Sequence, residues 1–211
     1  MKKLSLLVVA FPIMLFTSCG GDKKEENIDV EKNPLGALMK MGENMKENAE
    51  KMEKKAKDHK NAKAIHYEEL IKFLPESVSG YEIAKEPKGA SMDMGEMSYS
   101  SAEVRFENDK GDRIKIILLD YNAAYSMYSV ATAMWASGFK IDTSEELGQS
   151  INLGENINGW ESLRKKQKDA SVVLGLGDRF LLTIEGNNQK DCEFLKEVAK
   201  SMDLSKLALI E

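Results

Sequence analysis

The most constraining feature of this sequence is an alternation of apolar and polar residues on both sides of a short turn. Within residues 97–107 the apolar residues Ala102, Val104 and Phe106 fall on every second position, and the same spacing returns within residues 114–118. The intervening residues 108–111, Asn-Asp-Lys-Gly, are typical of a tight turn. A period of two indicates a half-buried strand, so the sequence predicts an antiparallel hairpin. The alternating apolar positions are Ala102, Val104, Phe106, Ile114, Ile116 and Leu118.

The second strand of this hairpin ends in residues 116–119, which are apolar at every position. Apolar residues on both sides of a strand are typical of a sheet interior that is covered on both faces. The sequence therefore predicts that this strand lies centrally, with helices or another layer against each face.

Further strands and helices follow from the same reasoning. Turn residues separate the remaining strand-length apolar segments, and spacings of three and four residues predict helices. The order of elements predicts an α+β domain: an antiparallel sheet of about six or seven strands with helices packed on it, preceded by a long charged helix. The additional strands are expected at residues 81–86, 149–153, 157–165, 171–176 and 179–185, and the shorter helices at residues 67–74, 122–138 and 189–202.

The first nineteen residues have the order of an export signal. Lys2 and Lys3 precede an apolar run over residues 4–16, which is followed by small residues. This run is shorter than the ~20 residues that a permanent membrane-spanning helix needs. The sequence therefore predicts a signal peptide over residues 1–18.

Residues 17–20, Thr-Ser-Cys-Gly, resemble the lipobox of bacterial lipoproteins, including those of Bacteroidota. That family usually has leucine three residues before the cysteine, whereas here Phe16 stands there and Leu15 precedes it. The resemblance implies that Cys19 becomes the lipid-modified N-terminus, and that palmitate-type acyl chains hold the protein at the cell envelope, on the periplasmic or surface face of the outer membrane. Each buried methylene contributes about 0.8 kcal/mol, so stable anchoring takes at least two such chains.

Three regions follow the signal peptide. Residues 19–33 carry almost no apolar side chains, which predicts a flexible tether. Residues 34–63 have helical spacing with a poor apolar stripe, which predicts a charged amphipathic spacer helix; a weak coiled-coil or groove-docking helix is the alternative. Residues 64–211 are long enough to form a single α+β domain with its own core.

Short glycine and apolar motifs in residues 65–208 are similar to PsbP-like lipoprotein domains. This resemblance implies a compact binding or assembly-factor fold without catalytic residues. The motifs are Leu74-Pro75 before Gly80-Tyr81, Gly159-Trp160, Gly177-Asp178-Arg179-Phe180 and the closing helix.

Charge and residue usage argue against two classes of function. Removing residues 1–18 takes away two lysines and no acidic residue, which leaves 28 basic against 35 acidic residues. Such a surface does not favour nucleic acid. Zinc and nucleophilic sites usually recruit His or Cys, and beyond Cys19 the chain offers only His59, His66 and Cys192. Because Cys192 falls on the apolar stripe of the last predicted helix, a buried thiol is favoured over a reactive one. We therefore expect no enzyme and no cofactor.

One cluster could bind a metal. Met92, Met94 and Met97 lie within six residues of a segment that the sequence predicts to be a flexible loop. Thioethers suit Cu(I), and the cluster resembles methionine-rich copper motifs of exported bacterial proteins. The alternative is that these methionines pack on the domain edge as adaptable hydrophobic residues.

A basic run is the other local signal. Arg164, Lys165, Lys166 and Lys168 fall at a predicted hairpin tip. The run is either a solvated turn or a contact for anionic lipid headgroups.

Together these observations favour a membrane-anchored envelope lipoprotein with a non-catalytic binding or assembly role. Its expected partners are the membrane, through the lipid anchor, and possible envelope proteins. Two alternatives stay open: a Cu(I)-binding envelope protein that uses the methionine cluster, and an enzyme whose carboxylates are brought together by the fold.

Overall fold

The computed structural model describes residues 63–94, 97–121, 135, 138 and 140–210. The predicted signal peptide, the lipid-attachment residue Cys19 and the tether lie outside the described residues. The same holds for the spacer helix except Lys63, and for the predicted helix over residues 122–138 except two positions.

Eight antiparallel strands form one sheet in the described part of the chain, in the spatial order β1-β2-β3-β8-β7-β6-β5-β4. The first three strands form one meander and the last five form another. The two meanders join because β8 pairs with β3. The strands are β1 (Glu82–Met94), β2 (Met97–Glu107), β3 (Arg113–Asp120), β4 (Lys140–Asp142), β5 (Glu146–Gly154), β6 (Ile157–Arg164), β7 (Asp169–Leu176) and β8 (Phe180–Gly186).

Among the described residues, three short helices contribute to the core: α1 (Tyr67–Ile71), α2 (Glu193–Lys200) and α3 (Leu204–Ala208). Helix α1 packs on β1 and β2, α2 packs on β7 and β8, and α3 packs on β6 and β7. The Asp203 side chain caps α3 by accepting a hydrogen bond from the backbone N–H of Lys206. Each helix inserts one fully buried leucine into the core: Leu70, Leu195 and Leu207.

The main hydrophobic cluster of the described residues lies on one face of the sheet, which we call the inner face, while Leu181 is buried on the other face opposite Leu119. Strand alternation places the buried side chains of neighbouring strands opposite each other, as in the Val104–Ile116 and Ile116–Ile184 pairs. Burying such side chains contributes about 1.5–3 kcal/mol each. The fully buried large residues of the strands are Phe106, Ile114, Ile116, Leu118, Leu174, Leu176, Phe180, Leu182 and Ile184.

The predicted hairpin is confirmed as β2 and β3. Asn108 accepts hydrogen bonds at Oδ1 from the backbone N–H groups of Lys110 and Asp112, each at 2.9 Å. Gly111 has a φ of +79°, which glycine adopts without steric cost. The central position of β3 is also confirmed, since β2 and β8 flank it. Ile116 and Leu118 are fully buried, whereas Ile117 and Leu119 on the opposite face are half-buried.

The strand count and the end of β1 differ from the prediction. The sheet has eight strands rather than six or seven, because the short edge strand β4 was not predicted. Strand β1 continues to Met94, although the strand was predicted to end at residue 86 and the segment that holds Met92 and Met94 to form a loop. Residues 88–94 pair regularly with β2, so backbone hydrogen bonding extends the strand where the apolar pattern is weak.

The helices are shorter than predicted. Helix α1 ends at Ile71, although Leu74 beyond it is still buried. The helix predicted over residues 189–202 is shortened to α2, and α3 lies beyond residue 202, where no helix was predicted. An antiparallel sheet with helices packed on it is thus confirmed, but the described domain is rich in sheet and its helices are few and short.

Candidate functional site

The outer face of the sheet, opposite the helices, carries a concentration of charged side chains. Strand alternation directs Arg105 of β2 and Lys115 of β3 to this face, and these two residues are cross-strand neighbours. Glu185 of β8 is in turn the neighbour of Lys115. Since β2, β3 and β8 hold these residues within a hydrogen-bonded sheet, their relative positions are determined by rigid elements.

A cleft opens on this face, and we call it the outer-face cleft. Its volume is about 990 Å³, at the upper end of the ~300–1,000 Å³ typical of ligand pockets. Ser162 and Ser171 line it and lie opposite each other in the β6–β7 register. The charged residues of its lining are Lys85, Arg105, Glu107, Arg113, Lys115, Glu146, Arg164, Asp169 and Glu185.

Several of these charges form ion pairs within the cleft. Arg164 Nη2 lies 2.9 Å from Asp169 Oδ2. Lys115 Nζ lies 3.5 Å from Glu185 Oε2, and the Lys115 side chain is 34% exposed. Exposed pairs of this kind contribute only ~0–1 kcal/mol, so a charged ligand can replace one partner at small cost.

Glu103 lies on β2 next to the cleft, and its pKa reflects the positive charges near it. Arg105 Nε donates a hydrogen bond of 2.6 Å to Glu103 Oε1, and Lys88 Nζ lies 3.4 Å from the same oxygen. Burial opposes ionisation of Glu103, but the hydrogen bond and charge of Arg105, with Lys88, hold the pKa of this carboxyl below its usual value. Arg105 and Lys88 therefore stabilise the ionised form of Glu103 beside the cleft.

A buried ion pair lies on the inner face, at the end of β3. Arg179 Nε and Nη2 donate hydrogen bonds of 3.0 and 2.8 Å to the two carboxylate oxygens of Asp120, and both side chains are almost fully buried. The backbone N–H of Ile65 also donates to Asp120, at 2.8 Å. Ser98 accepts from the Ala64 N–H at 2.9 Å. These contacts attach the chain that precedes α1 to the sheet, which indicates a structural role.

A second ion pair is buried between β6 and α2. Lys196 Nζ lies 3.0 Å from Glu161 Oε2 and 2.7 Å from Glu193 Oε1. Gln149 of β5 donates a hydrogen bond to the other oxygen of Glu161. Burial disfavours the ammonium group, but the two carboxylates raise the pKa of Lys196 above its usual value. This cluster joins α2 to the sheet and lies on the face opposite the cleft.

Cys192 immediately precedes α2 and is buried, in agreement with the prediction of a buried thiol. Its Sγ lies 3.3 Å from the carbonyl oxygen of Ser162, to which it donates a weak hydrogen bond. Burial raises the pKa of the thiol to about 11, with a further increase from the Glu161 carboxylate. A thiol that stays protonated at neutral pH is a poor nucleophile and metal ligand.

The three methionines of the predicted metal cluster lie at the far end of the β1–β2 hairpin. The prediction of a flexible loop is wrong at these positions, because Met92 and Met94 belong to β1 and Met97 begins β2. The register places Met94 opposite Met97, and Met92 is two residues before Met94. Met92 is 44% exposed. Binding of Cu(I) by this cluster stays a prediction.

The basic turn between β6 and β7 is held by acidic partners. Lys165 Nζ lies 2.6 Å from Asp142 Oδ1, and Lys166 Nζ lies 2.6 Å from Glu145 Oε1. These contacts tie the turn to the β4–β5 hairpin and favour the interpretation as a structured, solvated turn.

Within the described ranges, no group of three His, Cys, Asp or Glu side chains could hold a metal ion. None of the helices in this part of the chain is long and apolar enough to cross a bilayer. No family model, curated protein or solved structure matches the chain.

Sequence reasoning did not find the outer-face cleft or the buried ion pairs. Arg105 and Lys115 each appear in the sequence as the polar half of a strand alternation, which is the ordinary pattern of a solvated face. Asp120 and Arg179 are 59 residues apart, and only the β3–β8 pairing brings them together. The available signal was a charged residue at the end of an otherwise apolar strand.

Proposed function

We propose that this chain is an envelope lipoprotein, anchored through acyl chains on Cys19, whose sheet domain binds a ligand in the outer-face cleft without catalysing a reaction. The observation that carries this proposal is the cleft itself, a space of about 990 Å³ lined by nine charged side chains. A ligand there could be a small molecule or a segment of an envelope protein partner.

The two faces of the sheet differ in composition, which supports a structural role for the inner face and a binding role for the outer face. The inner face is closed by helices and by the apolar core, so it supplies stability. The cleft face presents Arg105, Lys115 and Arg164 from separate strands. The hydrogen-bonded strands hold the backbone positions of these charges at fixed spacing, in addition to the ion pairs described above, which is how a rigid scaffold presents a binding surface.

The membrane attachment rests on residues 1–20. Their charged start, apolar run and Cys19 support export followed by lipid modification. Two or more acyl chains would hold the domain at the membrane, with residues 19–63 between the anchor and the sheet.

Site-specific photocrosslinking in intact cells tests binding in the cleft. A photoreactive amino acid replaces Ser171, which lines the cleft, and in a control it replaces Lys190, which is 92% exposed and lies outside the lining. We expect an adduct at position 171 that does not form at position 190. The same adducts at both positions, or none at position 171, would contradict the proposal.

A second candidate function is Cu(I) binding, which the register at the hairpin end favours because it places Met94 opposite Met97. Thioether ligands select Cu(I) over harder ions. The test is titration of the full chain with Cu(I), beside a variant in which Met92, Met94 and Met97 are replaced by leucine. Tighter binding by the wild type supports this function, and equal binding removes it.

A further inference from the structure

Three basic residues lie in one row across the outer-face cleft. Lys85 of β1 is the direct cross-strand neighbour of Arg105 of β2, and Arg105 is the direct neighbour of Lys115 of β3. All three line the cleft. The row therefore places three positive charges on adjacent strands, about 5 Å apart from one strand to the next.

Such a row opposes stability. Like charges directly opposite each other in neighbouring strands are destabilising, typically by a few tenths of a kcal/mol for each pair. Lys115 is only loosely compensated by Glu185 at 3.5 Å, and Arg105 is paired with Glu103 outside the cleft lining. Within the described part of the chain, Lys85 forms no ion pair. The arrangement is thus explained better by binding than by folding.

The opposite side of the cleft has a different charge. There Glu185, Asp169 and Glu146 outnumber Arg164, which is itself paired with Asp169. Positive charge is therefore concentrated on the side formed by β1, β2 and β3. An anionic group entering the cleft would be drawn to that side.

We propose that Lys85, Arg105 and Lys115 bind an oxyanion, a phosphate or carboxylate group, of the ligand that occupies the outer-face cleft. This inference rests on the proposed function of the cleft. The planar guanidinium of Arg105 suits both groups, because its N–H donors can bind two oxygens at once. The two lysines add charge on either side of the arginine, and the rest of the ligand extends over Ser171 and Ser162.

Titration with two oxyanions tests this proposal. The full chain in a nonionic detergent is titrated with inorganic phosphate and, separately, with acetate, while the Arg105 Nε–H resonance is followed by NMR. We expect saturable binding of at least one anion, and the comparison of the two identifies the preferred group. Lys85→Gln and Lys115→Gln should each weaken binding about 3- to 10-fold, and binding should weaken with added chloride.

Two sets of variants provide the controls. A triple variant with Lys85, Arg105 and Lys115 replaced by glutamine should lose saturable binding, whereas the same replacement of Lys72, Lys190 and Lys200, outside the lining, should not. Lys85→Arg should restore binding. Because Lys85→Gln relieves repulsion, its Tm should equal or exceed that of the wild type, which separates lost binding from lost folding.

The inference is overturned if neither anion binds saturably, or if the cleft triple variant binds as tightly as the wild type. The adduct at position 171 separates this failure from failure of the proposed function. If that adduct persists in the cleft triple variant, the cleft binds a ligand without using the basic row. If no adduct forms at position 171 in the protein that retains Lys85, Arg105 and Lys115, the proposed function fails as well.

Discussion

At the scale of single residues, the described domain places its charges in two different environments. Asp120 and Arg179 are buried and joined by two hydrogen bonds, whereas Arg105 and Lys115 line an open cleft. A buried charge is tolerated only with its partner, since desolvation of an unpaired ion costs several kcal/mol. Breaking the buried pair should therefore destabilise the fold, whereas the partly exposed pairs of the cleft charges can be replaced by a ligand at smaller cost.

Asp120→Asn tests the structural role of the buried pair. The substitution keeps the shape of the side chain but leaves the Arg179 guanidinium buried without a counter-charge. We expect the free energy of unfolding to fall by about 3–5 kcal/mol, measured by urea denaturation.

Lys200→Gln is the matched control, because it removes an exposed ion pair with Glu197. Its effect should stay below about 1 kcal/mol. A loss from Asp120→Asn as small as that of the control would show that the buried pair does not support the fold.

Ionisation of the Cys192 thiol is expected to lower the stability of the folded protein at alkaline pH. Its pKa is about 11 in the folded protein against an ordinary value of 9.0, so the folded state retains the proton more strongly than the unfolded chain. The resulting stabilisation is complete below the ordinary value and is lost as the pH rises from 9.0 to about 11.

Urea denaturation across this pH range, with wild type and Cys192→Ala in parallel, measures the effect. Wild-type stability should decline more steeply than that of the variant, because only the wild type contains the Cys192 thiol. Every other titrating group is the same in both proteins. Parallel declines would mean that the thiol titrates alike in the folded and unfolded states.

At the scale of elements, local pattern and turn chemistry were sufficient for most strands. Strands β2, β3, β6, β7 and β8 each combine apolar alternation or an apolar run with clear turn residues at their ends. Strand β4 has only three residues, too few for a period to be visible. The second half of β1 is extended because β2 offers it a partner, which a local pattern cannot show.

The row formed by Lys85, Arg105 and Lys115 could not be predicted from the sequence for a related reason. Register shifts interrupt the β1–β2 pairing between Ile83 and Lys85 and again between Lys85 and Lys88. These irregularities decide which β1 residue lies opposite Arg105. Sequence alternation without knowledge of such bulges cannot assign that neighbour.

Gly159 of β6 tests how closely the strands pack. A Cβ atom there would lie 2.0 Å from the carbonyl oxygen of Val173 and 2.8 Å from a methyl carbon of Leu174. Because the first neighbour is backbone, the β6–β7 pairing itself must shift. We expect Gly159→Ala to reduce the free energy of unfolding by about 1–3 kcal/mol or more in urea denaturation.

Gly154→Ala in β5 is the control, because its new Cβ would lie at an ordinary 3.5 Å from Ile157. Its effect should be clearly smaller than that of Gly159→Ala. Equal effects would attribute the loss to glycine's backbone freedom rather than to the close contact with Val173.

At the scale of the whole molecule, we propose a lipid anchor at the N-terminus joined to a ligand-binding sheet domain. The helices close the inner face of the sheet, and the outer-face cleft presents charges on strands that the core holds rigid. The lipid attachment is a prediction from residues 1–20, and the cleft is a feature of the described domain. The predicted lipid attachment and the outer-face cleft are compatible with one role, in which the domain binds its ligand at a membrane surface.

Metabolic labelling with radioactive palmitate tests the central claim of lipid anchoring most directly. Wild type, Cys19→Ala and Cys192→Ala are expressed in a bacterial host, and the label in each chain is measured. We expect label in the wild type and in Cys192→Ala, and none in Cys19→Ala, because Cys19 is the residue at which lipid modification is predicted. Equal labelling of Cys19→Ala and wild type, or an unlabelled wild type that retains residues 1–18, would contradict this claim.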